Sequence, residues 1–303
     1  MIMTKTLLAV ALMCSFGVAS AAVVEGGSSS SHIVTGVSSV LPFGAGKAGI
    51  AINGSFSLNL ADGPIKHIRQ KYAQTPINAQ ADANVNGLLN PKYLTLKDVN
   101  PVVGLFNNPT LGQVWYEQRA HNTEVYSIRQ IADPAIPLAP KFGGLVMAKV
   151  ADLPADTAVY FGEWAPRASA PSTGSDTNLN LASADRTVWY VGENPTGNTT
   201  GLATATYDVV GLNQHTPGQN DVYTGALTAS FGTGATGKMA GQLTRGADSL
   251  NFANTDIQNA TGTFSRAADG IQGRFYGAGA AALAGIAERG GASEAIAFGG
   301  KKR

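Results

Sequence analysis

Gly270-Ile271-Gln272-Gly273-Arg274-Phe275-Tyr276-Gly277 runs into Ala278-Gly279-Ala280-Ala281-Ala282-Leu283-Ala284-Gly285, and the chain closes with Ala297-Phe298-Gly299-Gly300-Lys301-Lys302-Arg303. A glycine-flanked strand with an aromatic pair, a bend of small residues and a closing strand ending in Phe-Gly-Gly and a basic tail describe the last hairpin of a small antiparallel barrel. Working back from it, candidate strands fall at 187–192, 202–210, 222–231, 237–244, 249–254, 258–265, 270–276 and 292–298. The connections are short and rich in Gly, Asn, Asp and Thr, and the one stretch left to a helix is 280–288. Eight consecutive antiparallel strands close into a barrel just wide enough for side chains to fill, which leaves no open sheet edge.

Upstream the character changes. Residues 25–32 read as a flexible Gly/Ser tether. Near-alternation of Ile50, Ile52, Phe56, Leu58 and Leu60 predicts an extended segment at 49–60. Pro64 can open a helix, Ile65, Ile68 and Tyr72 share one face of 64–74, and Pro76 ends it. The stretch 84–110, broken by Pro91, Pro101 and Pro109, is loop-like. Strands resume at 113–126, 143–150 and 157–164, and 165–176 reads as a linker. The expected class is mainly β, with an N-terminal α+β, handle-like ligand domain at 22–175 and a C-terminal eight-stranded antiparallel β-barrel at 176–303.

Lys5 precedes an apolar run from Leu7 to Val18, and Ala19, Ser20, Ala21 and Ala22 follow, the pattern of a secretory signal peptide over 1–21. Cleavage is expected after Ser20, Ala21 or Ala22. Cys14 raises the alternative of a lipid-anchored surface form, but bulky Met13 precedes it and a good cut site lies beyond, so ordinary cleavage and a mature chain without cysteine are expected. A formal charge of +1 with 14% charged residues offers no basic face for nucleic acid.

Several barrel segments carry a family likeness together. Residues 223–231 (Tyr-Thr-Gly-Ala-Leu-Thr-Ala-Ser-Phe) followed by 237–243 (Gly-Lys-Met-Ala-Gly-Gln-Leu) resemble the recurring hairpin of the transferrin-binding protein B-like barrel. Ala260-Thr261-Gly262-Thr263-Phe264 and Gly273-Arg274-Phe275-Tyr276-Gly277 resemble the next. Ala278 stands where that family usually has proline, and Ala282-Leu283-Ala284-Gly285 where it has an acidic-Leu-Gly-Gly bend. A single barrel behind one N-terminal domain is most similar to the short members exported by the surface lipoprotein assembly modulator, Slam, among them the non-lipidated hemophilins. The resemblance implies a secreted Gram-negative haem-binding protein whose barrel serves export and whose N-terminal domain carries haem b to a TonB-dependent outer-membrane receptor. The alternative it implies is a Slam-dependent colonisation factor that binds a host protein without haem.

Haem capture needs an axial ligand, apolar walls and polar groups at the propionate edge. Of His32, His67, His121 and His215, His121 is the first choice for iron, because Trp115-Tyr116-Glu117-Gln118-Arg119-Ala120-His121 is aromatic-rich and supplies Arg119 for a propionate. His67, flanked by Lys66, Arg69 and Lys71 on the predicted helix, is the second, with Arg69 at the edge. His32 follows a mobile tract and His215 lies in what reads as a barrel turn. Trp115, Tyr116, Tyr126, Tyr160, Phe161 and Trp164 could line a haem slot, but alternating aromatics in strands more often make ordinary cores and cross-strand pairs. No Gly-x-Ser-x-Gly elbow, His-Glu-x-x-His or phosphate-cradling loop is present, and the carboxylates show no acid–base spacing, so no enzymatic activity is expected.

Overall fold

The computed structural model describes residues 22–41, 43–78, 92–99, 108–133, 142–171 and 176–303. The leader at 1–21 with Cys14, most of the loop at 84–110 and residues 172–175 of the linker lie outside the described residues.

The first half comprises β1 (Val24–Ser28), β2 (Ile33–Val37), β3 (Ala48–Ile52), β4 (Leu58–Asn59), α1 (Lys66–Lys71), β5 (Ile77–Asn78), β6 (Lys92–Thr95), α2 (Leu96–Val99), β7 (Thr110–Gln118), β8 (Glu124–Gln130), β9 (Gly144–Lys149), β10 (Val159–Ala165) and β11 (Thr187–Glu193). One sheet runs β1-β11-β10-β9-β8-β7, with β5 parallel and β6 antiparallel along the far edge of β7; β2-β3-β4 form a small second sheet. Residues 25–32 are therefore not a free tether. Gly26 and Gly27 pair with Val191 and Tyr190. The segment read as one strand at 49–60 is broken by a turn at Asn53-Gly54, both left-handed.

The second half is β12 (Ala205–Leu212), β13 (Tyr223–Ser230), β14 (Thr236–Arg245), β15 (Asp248–Asn251), β16 (Thr255–Gln258), β17 (Thr263–Arg266), β18 (Ile271–Tyr276), β19 (Ala282–Ala287) and β20 (Ile296–Lys302). Pairing runs β12-β13-β14-β16-β17-β18-β19-β20 and returns to β12, antiparallel throughout, which closes an eight-stranded barrel. Three strand assignments change. Residues 187–193 pair with β10 and β1 in the N-terminal sheet rather than opening the barrel. Residues 258–265 supply the ends of two strands, β16 and β17, and β15 hangs on β14 alone. The stretch left to a helix, 280–288, contains β19. Lumen and interface bury β19 from opposite sides, so it shows no period-two pattern.

Alternation in the quoted hairpin builds both cores. Phe275 points into the lumen, its ring 5.6, 5.1 and 5.4 Å from those of Tyr207, Phe231 and Phe264. With Phe252, Leu283 and Phe298 these side chains fill the barrel. Tyr276, the next residue, points outward and donates its hydroxyl to Glu25 O at 2.9 Å. The outer surface of β12, β19 and β20, through Val210, Ala282, Ala284, Ile286 and Ala297, packs on Trp115, Val146, Phe161 and Tyr190 of the sheet. Two glycines permit that approach: a Cβ on Gly299 would stand 2.5 Å from the Phe161 ring, and one on Gly192 would stand 2.6 Å from the Tyr276 ring.

Because Phe275 is at the centre of the lumen aromatics, Phe275→Ala is expected to lower the free energy of unfolding by about 3–5 kcal/mol. Urea titration followed by circular dichroism checks this, and a loss under about 1 kcal/mol, the range of ordinary surface substitutions, would remove the lumen from its place as a principal core.

Candidate functional site

β7 and β8 turn over at residues 119–123. Arg119 N–H donates to Thr123 O at 2.8 Å and Thr123 N–H to Ala120 O at 3.1 Å. His121 (φ 55°, ψ 34°) and Asn122 (φ 57°) are both left-handed, the backbone of a two-residue I′ turn that Asn-Gly favours. Such a conformation costs a residue other than glycine roughly 1–2 kcal/mol. His121 is therefore held out at a strained tip, its Nδ1 3.9 Å from Asp208 Oδ2 on β12. Arg119, Ala120 and His121 line one side of a cavity of about 400 Å³ whose other side is Asn220, Val222, Thr224, Thr244, Arg245 and Gly246 of the barrel. The two barrel-side residues anticipated from sequence do share this cavity. Its apolar lining is little more than Ala120 and Val222, so it lacks the walls a porphyrin face requires.

The sheet keeps His67 and Arg69 away from that cavity. Side chains alternate along β7, so Trp115 faces the barrel while Val114 and Tyr116 face α1 and the small sheet. Arg69 lies 5.9 Å from the Tyr116 ring centre on this outer face and 4.0 Å from Glu124. His67, half-buried beside it, packs against Phe43 with ring centres 5.5 Å apart. Burial, helped by the Lys66 and Lys71 charges and opposed by Asp98, pulls its imidazole below the ordinary value and favours the neutral form. Standing on opposite faces, His67 and His121 are not placed to ligate one iron together.

The loops around Phe43 expose apolar side chains. Val40, Leu41 and Phe56 are 74%, 67% and 70% exposed. Ser39 N–H donates to Ser57 O at 2.9 Å, and Gly44 N–H to Val40 O at 2.9 Å, which ties the two loops side by side. Among the described residues His67 makes no hydrogen bond or ion pair, whereas His32 Nδ1 is 2.9 Å from Asn53 Oδ1 and its ring packs 5.6 Å from Trp164. His32 thus has side-chain neighbours both in the turn that follows β3 of the small sheet and on β10.

His215 departs furthest from its sequence reading as a bland turn residue. The loop between β12 and β13 plugs into the sheet. His215 Nδ1 is 2.6 Å from Asp221 and Nε2 is 3.0 Å from Glu117 of β7, with no exposed side-chain surface on His215 or Glu117. Glu117 also accepts from Arg119 Nη2 at 2.9 Å and from Gly218 N–H at 2.5 Å. Beside it, Glu163 of β10 accepts from the His215 and Gln214 N–H groups at 2.7 and 2.8 Å and pairs with Arg186 at 2.5 Å. Three carboxylates thus meet three cations only when His215 is protonated. Burial opposes that charge, but the bonds to Asp221 and Glu117 prevail and push His215 up to about 9. Burial likewise works against ionised Asp221, yet its bond with His215 holds it below the usual carboxylate range.

No known family profile matches the chain. Among solved structures the chain is similar to one described as the crystal structure of a surface lipoprotein, with 18% identity and a TM-score of 0.32 over 64% of this chain and 100% of that one. A likeness of that extent carries no functional weight. Among the described residues no helix is long and apolar enough to cross a membrane.

Since the folded pKa of His215 is raised from 6.5 to about 9, its contribution is complete below about pH 6.5 and is lost as pH rises through about 9. The shift corresponds to about 3 kcal/mol. Urea stability compared near pH 6 and near pH 10 should fall by that order. His215→Gln should flatten the dependence and cost about 3–5 kcal/mol near pH 6, because Asp221 loses its cation and Glu117 keeps only Arg119. Equal pH dependence in both proteins would refute the assignment.

Proposed function

We propose that this chain is a secreted, non-enzymatic haem-binding protein that captures haem b on the outer face of its N-terminal sheet and hands it to a TonB-dependent outer-membrane receptor. The observation that carries the reading is His67. Its imidazole has no hydrogen-bond partner among the described residues, and it packs on Phe43 in the loop that exposes Val40 and Leu41. That set fits haem in kind: a nitrogen donor, apolar surface for a porphyrin face, and Lys66, Arg69 and Lys71 on the same helix for propionates. When bound, haem would supply the iron that His67 ligates. The barrel lumen is filled by aromatic side chains and has no room for haem, and the barrel acts in export through a Slam-type translocon.

A second reading draws on the same loops. Val40, Leu41 and Phe56, each more than two-thirds exposed, offer an apolar patch of the kind that meets a host protein. It predicts no haem affinity and loss of that contact on Leu41→Asp or Phe56→Asp.

Hemin titration followed by absorbance separates these readings. A Soret shift that survives His121→Ala and is lost in His67→Ala is expected. Loss in His121→Ala alone would move the iron to the barrel side, and no shift in the parent protein would leave the host-protein reading. For export, deleting the Slam-type translocon in the producing cell is expected to retain the protein in the periplasm; undiminished secretion would overturn the role given to the barrel.

A further inference from the structure

The cavity between the β7–β8 turn and the barrel rim is lined by Arg119, His121, Asn220, Thr224, Thr244 and Arg245, and, among the described residues, by no carboxylate residue. We propose that it is a binding site for a small oxyanion, a carboxylate or phosphate group. It is separate from the haem reading, which rests on the opposite face of the sheet.

Arg119 forms the floor. Its side chain is 1% exposed, one bond from Nη2 goes to Glu117, and Nε and Nη1 have no hydrogen-bond partner among the described residues. Buried N–H groups are rarely left so, because an unpaired donor forfeits its solvation without return. Arg245 is pre-set on the opposite wall: Nη1 donates to Asn213 O at 2.6 Å, Nη2 to Asn213 Oδ1 at 2.9 Å, and the guanidinium lies 4.4 Å from the centre of the Tyr223 ring. Fixed in this way, it presents charge without the entropy cost of immobilising a free side chain. The nearest carboxylate to His121, Asp208, is itself held by Arg303 at 2.7 Å, so it leaves the imidazole to an incoming anion. The left-handed turn that projects His121 over the cavity is backbone strain of the sort that collects at ligand sites. Planar guanidinium forks suit both carboxylate and phosphate oxygens.

Calorimetric titration of the purified full chain with inorganic phosphate, and separately with succinate, tests the assignment. Saturable binding of at least one anion is expected, weakened about tenfold in His121→Ala, the loss of one charge-assisted hydrogen bond. Arg119→Gln should abolish it. Because that variant also strips Glu117 of a partner, Thr244→Val, at an exposed position, serves as the second reading and should weaken binding without changing the circular dichroism. Response to succinate alone identifies a carboxylate ligand, and to phosphate alone a phosphate group. No saturable heat with either anion, or equal affinity in His121→Ala, Thr244→Val and the parent, would overturn the proposal.

Discussion

Charge buried where the barrel meets the sheet constrains everything around it. Glu117 and Glu163 sit on neighbouring regions of one sheet with no side-chain exposure, and the cations and N–H groups that satisfy them come from elsewhere: Arg119 from the end of β7, Arg186 from the approach to β11, and His215, Gln214 and Gly218 from a barrel loop. A carboxylate removed from water without such partners is costly enough that it would take up a proton and become neutral instead. The plug therefore has one acceptable seating. That seating sets how β12 lies against β7 and β10, and so where the outer barrel surface meets the sheet.

Packing completes what the ion cluster orients. Strands β12, β18, β19 and β20 serve two cores at once, with Tyr207, Phe275, Leu283 and Phe298 in the lumen and Val210, Tyr276, Ala284 and Ala297 against the sheet. Close contact demands small residues at the crossing points, which is the physical use of Gly192 and Gly299. A filled lumen leaves the two proposed ligands to the surfaces that the interface does not consume. These are the outer face with His67, Phe43 and the exposed loops, and the seam where His121 overhangs Arg119 and Arg245.

Much of this was legible in order along the chain. Short strands between glycine-rich turns announced the barrel, and the Phe275–Tyr276 pair marked its last hairpin. Some signals were present but overridden: Asn53-Gly54 is a strong turn signal inside a stretch read as one strand. Others were absent. The turn at His121-Asn122 has no glycine, so 113–126 read as continuous. β19, Ala-Leu-Ala-Gly-Ile-Ala, carries helix-favouring alanines and is buried on both faces, so neither propensity nor alternation reports a strand. His215 gave no sign of its role, because Glu117 lies 98 positions away.

The sequence by itself determined the mainly β class, the barrel and the short list of imidazoles and arginines, since hydrophobic period and turn chemistry are local properties. Only the tertiary structure decided that residues 187–193 belong to the N-terminal sheet, that His67 and His121 lie on opposite sides of it, and that Arg119 and His215 join one buried ionic cluster. Those outcomes depend on which strand pairs with which and on which face each side chain turns, and both are settled by contacts between residues tens to more than a hundred positions apart.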